Sequence, residues 1–381
     1  MKYNIIYITL VLACFCRCTS ANKASDEKSG SKSQDTKVYS LNIPDTKNRS
    51  LDVSYFADTI IYVFLETNDD CLLRDLRQVL VSDSVLFISD IQNNFYKFNI
   101  NGKFIKQIGS KGEGPMEYKS LRRFHIFNDS IYINDPFGKM LIYSMDGEFG
   151  RSVRLKRNIT DFNDIDGYIA GYDYHHGLVC FYDGDMSLID SIKVEYNVSE
   201  MRKYYSFNMI EHFRKPNDEL YFNDLKNDTI WKISYKKKEP AFILNQKDKL
   251  LPHDKQIEYF RDMDLFYKEA ESYRQYVLFP FSSYLFIAER NWRGGGVQYC
   301  ITDLKENKTQ RFYSLHDDLV SGGLYLFPFI STSQSDYLVT VLPNSATFSE
   351  MRDFIQFPQF KELTKHINDD DNPIIALIKV N

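Results

Sequence analysis

Six related stretches recur along the chain, and they constrain its fold more than any other feature. Residues 81–90, "VSDSVLFISD", and 127–136, "FNDSIYINDP", read alike: an apolar residue, a polar turn with Asp and Ser, then an alternating run ending in Asp. The equivalent serines are Ser84 and Ser130. Residues 216–225, "PNDELYFNDL", repeat the pattern with Glu219 in the serine slot, and 281–290, "FSSYLFIAER", with Ser283 there. Residues 164–173, "DIDGYIAGYD", and 334–343, "QSDYLVTVLP", complete the set. Hairpin-like segments accompany them, turning at Asn101-Gly102, Asp146-Gly147 and Asp183-Gly184. Asn-Gly and Asp-Gly supply the positive φ that a two-residue hairpin turn demands. A unit is therefore four strands: one before the marker, one on it and a hairpin after it. Four-stranded units at about 45 residues are how propeller blades are built. The expectation is an all-β fold, a six-bladed β-propeller with four-stranded blades over 38–381. The N- and C-terminal strands are expected to share the closing blade, which removes open sheet edges.

Composition agrees. The chain holds 27 Tyr and 29 Phe, and large flat side chains suit pleated faces. A net charge of -5 offers no basic footprint for nucleic acid.

The N-terminus reads as targeting. Lys2 precedes an apolar run, Tyr3 to Ala13, too short to span a bilayer. Ala13 stands directly before Cys14, as in a bacterial lipobox, with Cys16 and Cys18 close behind. Residues 1–20 are assigned to a lipoprotein signal peptide region with Cys14 as the lipidated residue; an ordinary signal peptide cut near Ala21 is the other reading. Residues 21–37 are polar and Ser/Lys-rich, a flexible tether. The expected location is the cell envelope, lipid-anchored, with no other membrane contact. Cys71, Cys180 and Cys300 form no CxxC pair, so buried thiols are expected rather than disulfides or a zinc cluster.

Residues 102–149 resemble NHL-type repeats: Gly112, Gly114 and Tyr118 fit the glycine-rich turn, with Met116 where that family often has Gly, and Asp135 fits the strand-end aspartate. The whole chain, lipobox included, resembles the six-bladed β-propeller lipoproteins of Bacteroidetes, most of unknown function. The resemblance implies the propeller fold and no particular ligand.

The candidate site lies on the face where blades connect. Two insertions, 251–276 and 344–372, read as short helices rising from that face, the second broken at Pro358. Long structured connections often carry function. Arg77 and Arg123 are read as equivalent positions before the inner strands, placed to bind an anionic ligand or to pair with carboxylates. The loop 288–299 offers Arg290, Trp292 and Arg293, suited to a sugar, an anion or a protein partner. Trp292 can equally plug against the helical insertion. His175 and His176 occupy the matching loop of blade three, at a spacing poor for one metal. Asp90, Asp135, Asp173, Asp224 and Glu289 end second strands, and either cap their loops or ring a cation. "GSKGEGP", 109–115, lacks the P-loop order, and "DFNDIDG", 161–167, fails the calcium-loop register. Residues 368–372 read as a solvated turn.

No cofactor, metal or catalytic constellation is indicated. The first reading is a binding module on the envelope, engaging a glycan, peptide or envelope protein. The alternative is an enzyme, a lyase or hydrolase with its site at the channel mouth. An assembly subunit is a third.

Overall fold

The computed structural model describes residues 37–381 apart from 83, 195–210, 217, 225–226, 253–254, 256–257, 260–261, 282, 293–295, 329–336, 343–351, 366 and 369. The leader, Cys14 and the tether up to residue 36 therefore lie outside the described residues, as does Arg293.

Six sheets form the ring; five carry an antiparallel meander in chain order, and the sixth is completed by an N-terminal strand. Blade two shows the unit: Arg123–Phe127, Ser130–Asp135, Lys139–Ser144 and Phe149–Arg154. Its first hairpin turns through Asn128 (φ 45°) and Asp129 (φ 52°). Both central residues are left-handed, the backbone of a two-residue turn that matches strand twist. Blade one runs from Leu76–Ser82 to Phe104–Gln107, blade three from Asp161–Ile165 to Leu188–Lys193. Blade four runs from Phe213–Arg214 to Lys237–Leu244, and blade five from Arg274–Pro280 to Lys308–His316.

The later hairpins of blades one to three depart from the expected two-residue turn. Asn99 N–H donates to the Lys103 carbonyl, Ser144 N–H to that of Glu148, and Asp183 N–H to that of Ser187. Each pair encloses three residues. Only the third is left-handed: Gly102 (φ 81°), Gly147 (φ 76°) and Met186 (φ 63°). The register slips beside each turn, which is the bulge that three-residue loops require. In blade three the glycine thus misses the slot that needs it, and Met186 takes the strained conformation.

Ring closure follows expectation. The N-terminal strand Ala57–Phe64 pairs antiparallel with the C-terminal strand Ile374–Val380, which pairs with Tyr337–Leu342. A Pro328–Thr340 bridge marks the inner position of this sixth blade. The preceding segment does more than the sequence suggested. Tyr39–Leu41 adds a parallel strand to the outer edge of blade four, and Asn48–Asp52 does the same for blade five. One strap therefore covers two outer edges before completing a third blade, and covered edges cannot template aggregation.

Six clusters of buried apolar side chains fill the six gaps between neighbouring blades. Phe124, on the inner strand of blade two, packs on Phe95 of blade one with centroids 4.2 Å apart. Burying one such ring contributes about 2–3 kcal/mol, so stability accumulates at blade interfaces.

Both insertions are helical and lie on the inter-blade face. Helix α1, Met263–Glu269, falls between blades four and five, capped by Asp262, whose carboxylate accepts the Leu265 N–H at 3.0 Å. Helix α2, Pro358–Leu363, follows the second strand of blade six. Pro358 opens this helix instead of breaking it, because the first helical position needs no N–H donor. The run 368–372 opens as the expected exposed turn, with the Asp371 N–H donating to the Asn368 carbonyl, and ends in a clamp. Asn372 is 3% exposed; its amide donates to the Glu66 and Cys71 carbonyls at 2.7 and 2.9 Å and accepts the Leu73 N–H at 2.7 Å. These bonds tie blade six to the start of blade one.

Candidate functional site at the channel mouth

Connections from one blade to the next enter the inner strands at the face that carries both helices. The glycine-rich connection into blade two is filled by its own chain. Glu117 turns its carboxylate onto the Gly114 N–H at 2.8 Å, and a Cβ on Gly112 would meet that carboxylate at 1.9 Å. Tyr118 N–H donates to the Ser110 carbonyl, and Tyr118 is fully buried. The cradle that could hold a phosphate holds a protein carboxylate.

The strand-end acids serve their loops. Asp90 accepts the N–H groups of Arg74, Gln92 and Asn94 at 3.2, 2.9 and 2.8 Å. Asp135 accepts those of Lys119 and Phe137 at 2.8 and 3.0 Å. Asp173 holds Arg157 at 3.1 Å and the ring of His176 at 2.7 Å. Asp224 accepts the Asn227 N–H at 3.0 Å, and Glu289 pairs with Arg274 and Arg311. Each acid ties the incoming connection or the neighbouring turn. Among the described residues no three His, Cys, Asp or Glu gather as a metal-holding group.

Deeper in the channel lies a polar layer that composition alone does not reveal. Three inner strands open on polar–Phe–polar runs, Arg123-Phe124-His125, Asp161-Phe162-Asn163 and His212-Phe213-Arg214, the last starting one residue before its strand. Strand alternation sends the Phe rings toward the preceding blade and the flanking polar groups the other way. Arg123, His125, Asp161, Asn163 and His212 are each at most 2% exposed. Arg123 Nε lies 3.9 Å from the Asp161 carboxylate. Asp161 also accepts the N–H groups of Phe162, His212 and Phe213 at 2.9, 2.7 and 2.9 Å. Burial nevertheless raises its pKa, against the pull of Arg123 and those N–H groups and with Glu211 adding to the rise. Arg214 pairs with Glu211, and its guanidinium lies 4.8 Å from the Phe279 ring centroid. The tripeptide repeat is the signal that finds this layer.

The arginine equivalence shifts by one residue. A bulge between Leu76 and Gln78 places Gln78 opposite Ser89, as Arg123 stands opposite Asn134. Gln78 is therefore the counterpart of Arg123, and Arg77 that of Arg122. Arg77 donates to the Leu121 carbonyl and to Asn93 Oδ1 at 3.2 Å. Arg122 donates to the Ile159 carbonyl at 3.5 Å. Desolvation and the charge of Arg123 push Arg77 down and take Arg122 to about 10, partly offset by the neighbouring acids.

The other candidates sit elsewhere on this face. Arg290 is half-buried on the second strand of blade five and donates to Gln275 at 2.8 Å. Burial lowers its pKa. Trp292, just past that strand, is half-buried. His175 and His176 are exposed, the second anchored by Asp173. The described contacts join Arg77 to Arg123 through charge and join neither to Arg290, Trp292 or the histidines.

Beside the ring mouth, between the connection from blade five to blade six and α2, lies a cleft of about 540 Å3. Leu319, Val320, Phe357, Pro358, Phe360 and Leu363 line it, with Gln359. Asp317 holds the segment that carries Leu319 and Val320. It is fully buried and accepts the N–H groups of Leu319, Val320 and Ser321 and the Tyr62 hydroxyl, all within 3.0 Å.

Cys71, Cys180 and Cys300 are buried free thiols. Burial pushes Cys180 and Cys300 up to about 12. Among the described residues no helix is long and apolar enough to cross a membrane.

A solved structure confirms the architecture. A candidate exported protein of Bacteroides fragilis superposes with a TM-score of 0.74 at 18% identity, covering 91% of this chain and 100% of that one. A member of the DUF4221 family from Bacteroides vulgatus gives 0.49 at 11%, covering 85% and 97%. An inactive virginiamycin B lyase from Staphylococcus aureus gives 0.43 at 9%, covering 84% and 99%. At such identities the likeness is one of fold, and the last two add nothing to the argument. A search of curated proteins finds no match. The family profile of a domain of unknown function, DUF4934, matches residues 38–379, and the chain belongs to that family.

Proposed function

We propose that this propeller is a binding module of the cell envelope, lipid-anchored through Cys14 and tethered by residues 21–37. Its partner is an apolar segment of another envelope protein, received on the inter-blade face. The observation that carries this reading is the cleft beneath α2. Its lining is apolar save Gln359; Leu363 of that lining is 63% exposed, and Phe354, three residues before Phe357, is 59% exposed. Contiguous exposed apolar surface on a soluble domain marks an interaction site, and the volume suits a few side chains. The similarity to an exported Bacteroides protein supports an envelope location, and the lipobox sequence supports the anchor. NHL-like kinship rests on Gly112, Gly114, Tyr118 and Asp135.

The enzyme reading draws on Arg123, Asp161 and His212 in the channel. Binding is favoured because the Asp161 oxygens are already engaged by three backbone N–H groups and Arg123, which leaves little for a reacting group. The test is capture from envelope extract with wild type, with Leu363→Glu, and with Lys308→Ala as a control on the opposite side of the sheet. A partner retained by wild type and control but lost with Leu363→Glu supports the cleft. Identical partners for all three overturn it.

A further inference from the structure

We propose that the loop tips of blades one and two rest on the surface of a lipid bilayer, so that the inter-blade face of the ring is turned toward the membrane. This goes beyond the cleft and uses none of its residues, but it rests on the lipid anchor of the reading above, which keeps the domain within reach of a bilayer. The anchor is then joined by a second membrane contact. Two consecutive blades build the same device. In each, the strand-end acid accepts the N–H of a cationic residue in the incoming connection: Asp90 that of Arg74 at 3.2 Å, and Asp135 that of Lys119 at 2.8 Å. An apolar residue stands within three positions before each cation, Leu72 and Met116, and another within two after each acid, Ile91 and Phe137. All four are exposed, by 43%, 55%, 45% and 66% in that order. The two cations are exposed as well, and Lys119 Nζ lies 5.5 Å from the Phe137 ring centroid.

The tips are held out by their own backbones. Ile91 N–H donates to the Asp75 carbonyl at 2.9 Å, Phe137 N–H to Asp135 at 3.0 Å, and the Tyr143 hydroxyl to the Met116 carbonyl. The Asn93 side chain accepts the Leu121 N–H at 2.9 Å, which ties the loop after Ile91 to the connection that carries Met116. Backbones fixed in this way keep the apolar side chains in water, where they are unfavourable until something covers them. The opposite face differs. Its turns expose Asn101, Asp129, Asp146, Asp166, Asp185 and Glu306, and among the described residues of those turns no large apolar side chain is exposed. In the tip loops, exposed Arg74, Asp75, Gln92 and Lys119 alternate with the apolar residues, so the tips are separate knobs and not one patch. A protein partner needs a continuous packed core. Lipid accepts each knob by itself, with long cationic side chains reaching up to headgroup level. Segments 69–75 and 109–119 together carry five acids and three bases, so apolar burial and not headgroup charge supplies the attraction. A flexible chain as long as residues 21–37 spans roughly 20–25 Å, which makes the bilayer the apolar surface that an anchored ring meets at the highest effective concentration.

Residues 37–381 form a compact unit that holds the whole ring, so the leader can be omitted from the test. The chain from residue 21 is held by an N-terminal histidine tag on phosphatidylcholine vesicles that contain a nickel-chelating lipid, which makes the outcome independent of Cys14. A fluorophore is attached at Gln92→Cys, beside Ile91, or at Asp146→Cys on the opposite face; Cys71, Cys180 and Cys300 are buried and escape labelling. Nitroxide carried on the lipid should quench the first label more strongly than the second, to the same extent with added phosphatidylglycerol and at high salt, because the contact is apolar. Met116→Ser with Phe137→Ser, and separately Leu72→Ser with Ile91→Ser, should each weaken the docked state at least about tenfold and so remove the difference. Ile189→Ser, at an exposed apolar position of an outer strand, should leave it unchanged. Equal quenching of the two labels, a difference that survives both double variants, or quenching on anionic vesicles alone overturns the proposal. Leu363→Glu leaves these four tips intact, so loss of the captured protein with quenching unchanged, or the reverse, separates this surface from the cleft. The anchor is checked apart by the mass of the mature N-terminus, which should carry acyl chains on Cys14.

Discussion

Gln78 and Phe124, on the inner strands of consecutive blades, exchange two hydrogen bonds. The Gln78 amide donates to the Phe124 carbonyl at 2.8 Å, and its oxygen accepts the Phe124 N–H at 3.1 Å. A side-chain amide thus does for neighbouring blades what a peptide unit does for neighbouring strands. Two blades on, the Asp161 carboxylate repeats half of the device by accepting the His212 and Phe213 N–H groups.

Gln78→Leu keeps the volume roughly constant but leaves a buried N–H and C=O on Phe124 without partners. Each such group costs about 1–3 kcal/mol, so a loss of about 2–5 kcal/mol is expected in urea unfolding. A loss below about 1 kcal/mol would show that water or a shift of the strand replaces the amide.

Asp161 gives a pH signature. Its folded carboxyl holds its proton to higher pH than the ordinary value of 3.8, because burial outweighs Arg123 while Glu211 adds to the rise. The native state therefore binds more protons than the unfolded chain between 3.8 and the raised value. The contribution of Asp161 to stability falls as pH rises through that window. Asp161→Asn abolishes the dependence, and it keeps only one of the two oxygens that accept the three N–H groups. The stability difference, wild type minus variant, should shrink as pH rises from 4 toward the folded value. A difference that grows over that interval would mean Arg123 dominates.

Gly102 and Gly167 have nearly the same backbone, φ 81° and 80°, in different surroundings. A Cβ at Gly102 would stand 1.9 Å from the Phe64 carbonyl oxygen of the closing blade, whereas nothing lies within 4 Å of one at Gly167. Gly167→Ala should cost about 1 kcal/mol, the conformational strain alone. Gly102→Ala must add displacement of a backbone segment and should cost at least about 2 kcal/mol more. Equal melting shifts for the two variants would show that the contact with Phe64 yields freely.

Much of the channel layer was readable, though not by searching for motifs. Arg123, Asp161 and His212 carry an ordinary strand alternation whose inward positions are polar, and comparing inner strands shows it. Arg77 and Arg123 were matched one residue out, because a bulge at Leu76–Gln78 adds a residue that spacing cannot display. Asn372 was hidden for a different reason: in a run of Asp and Asn, only the packing of blade six against blade one decides which side chain is buried.

The sequence by itself determined the number of blades, the strand count of the unit, the sharing of the closing blade and the face that carries the insertions. These follow from local periodicity and turn chemistry, which each unit repeats in its own residues. The tertiary structure alone decided that the N-terminal strap edges blades four and five, that Glu117 fills the glycine loop, and that Arg77 and Arg122 stand in register with neutral partners. Those facts depend on contacts between residues far apart in the chain, and side-chain charge finds its partner only once the ring has closed.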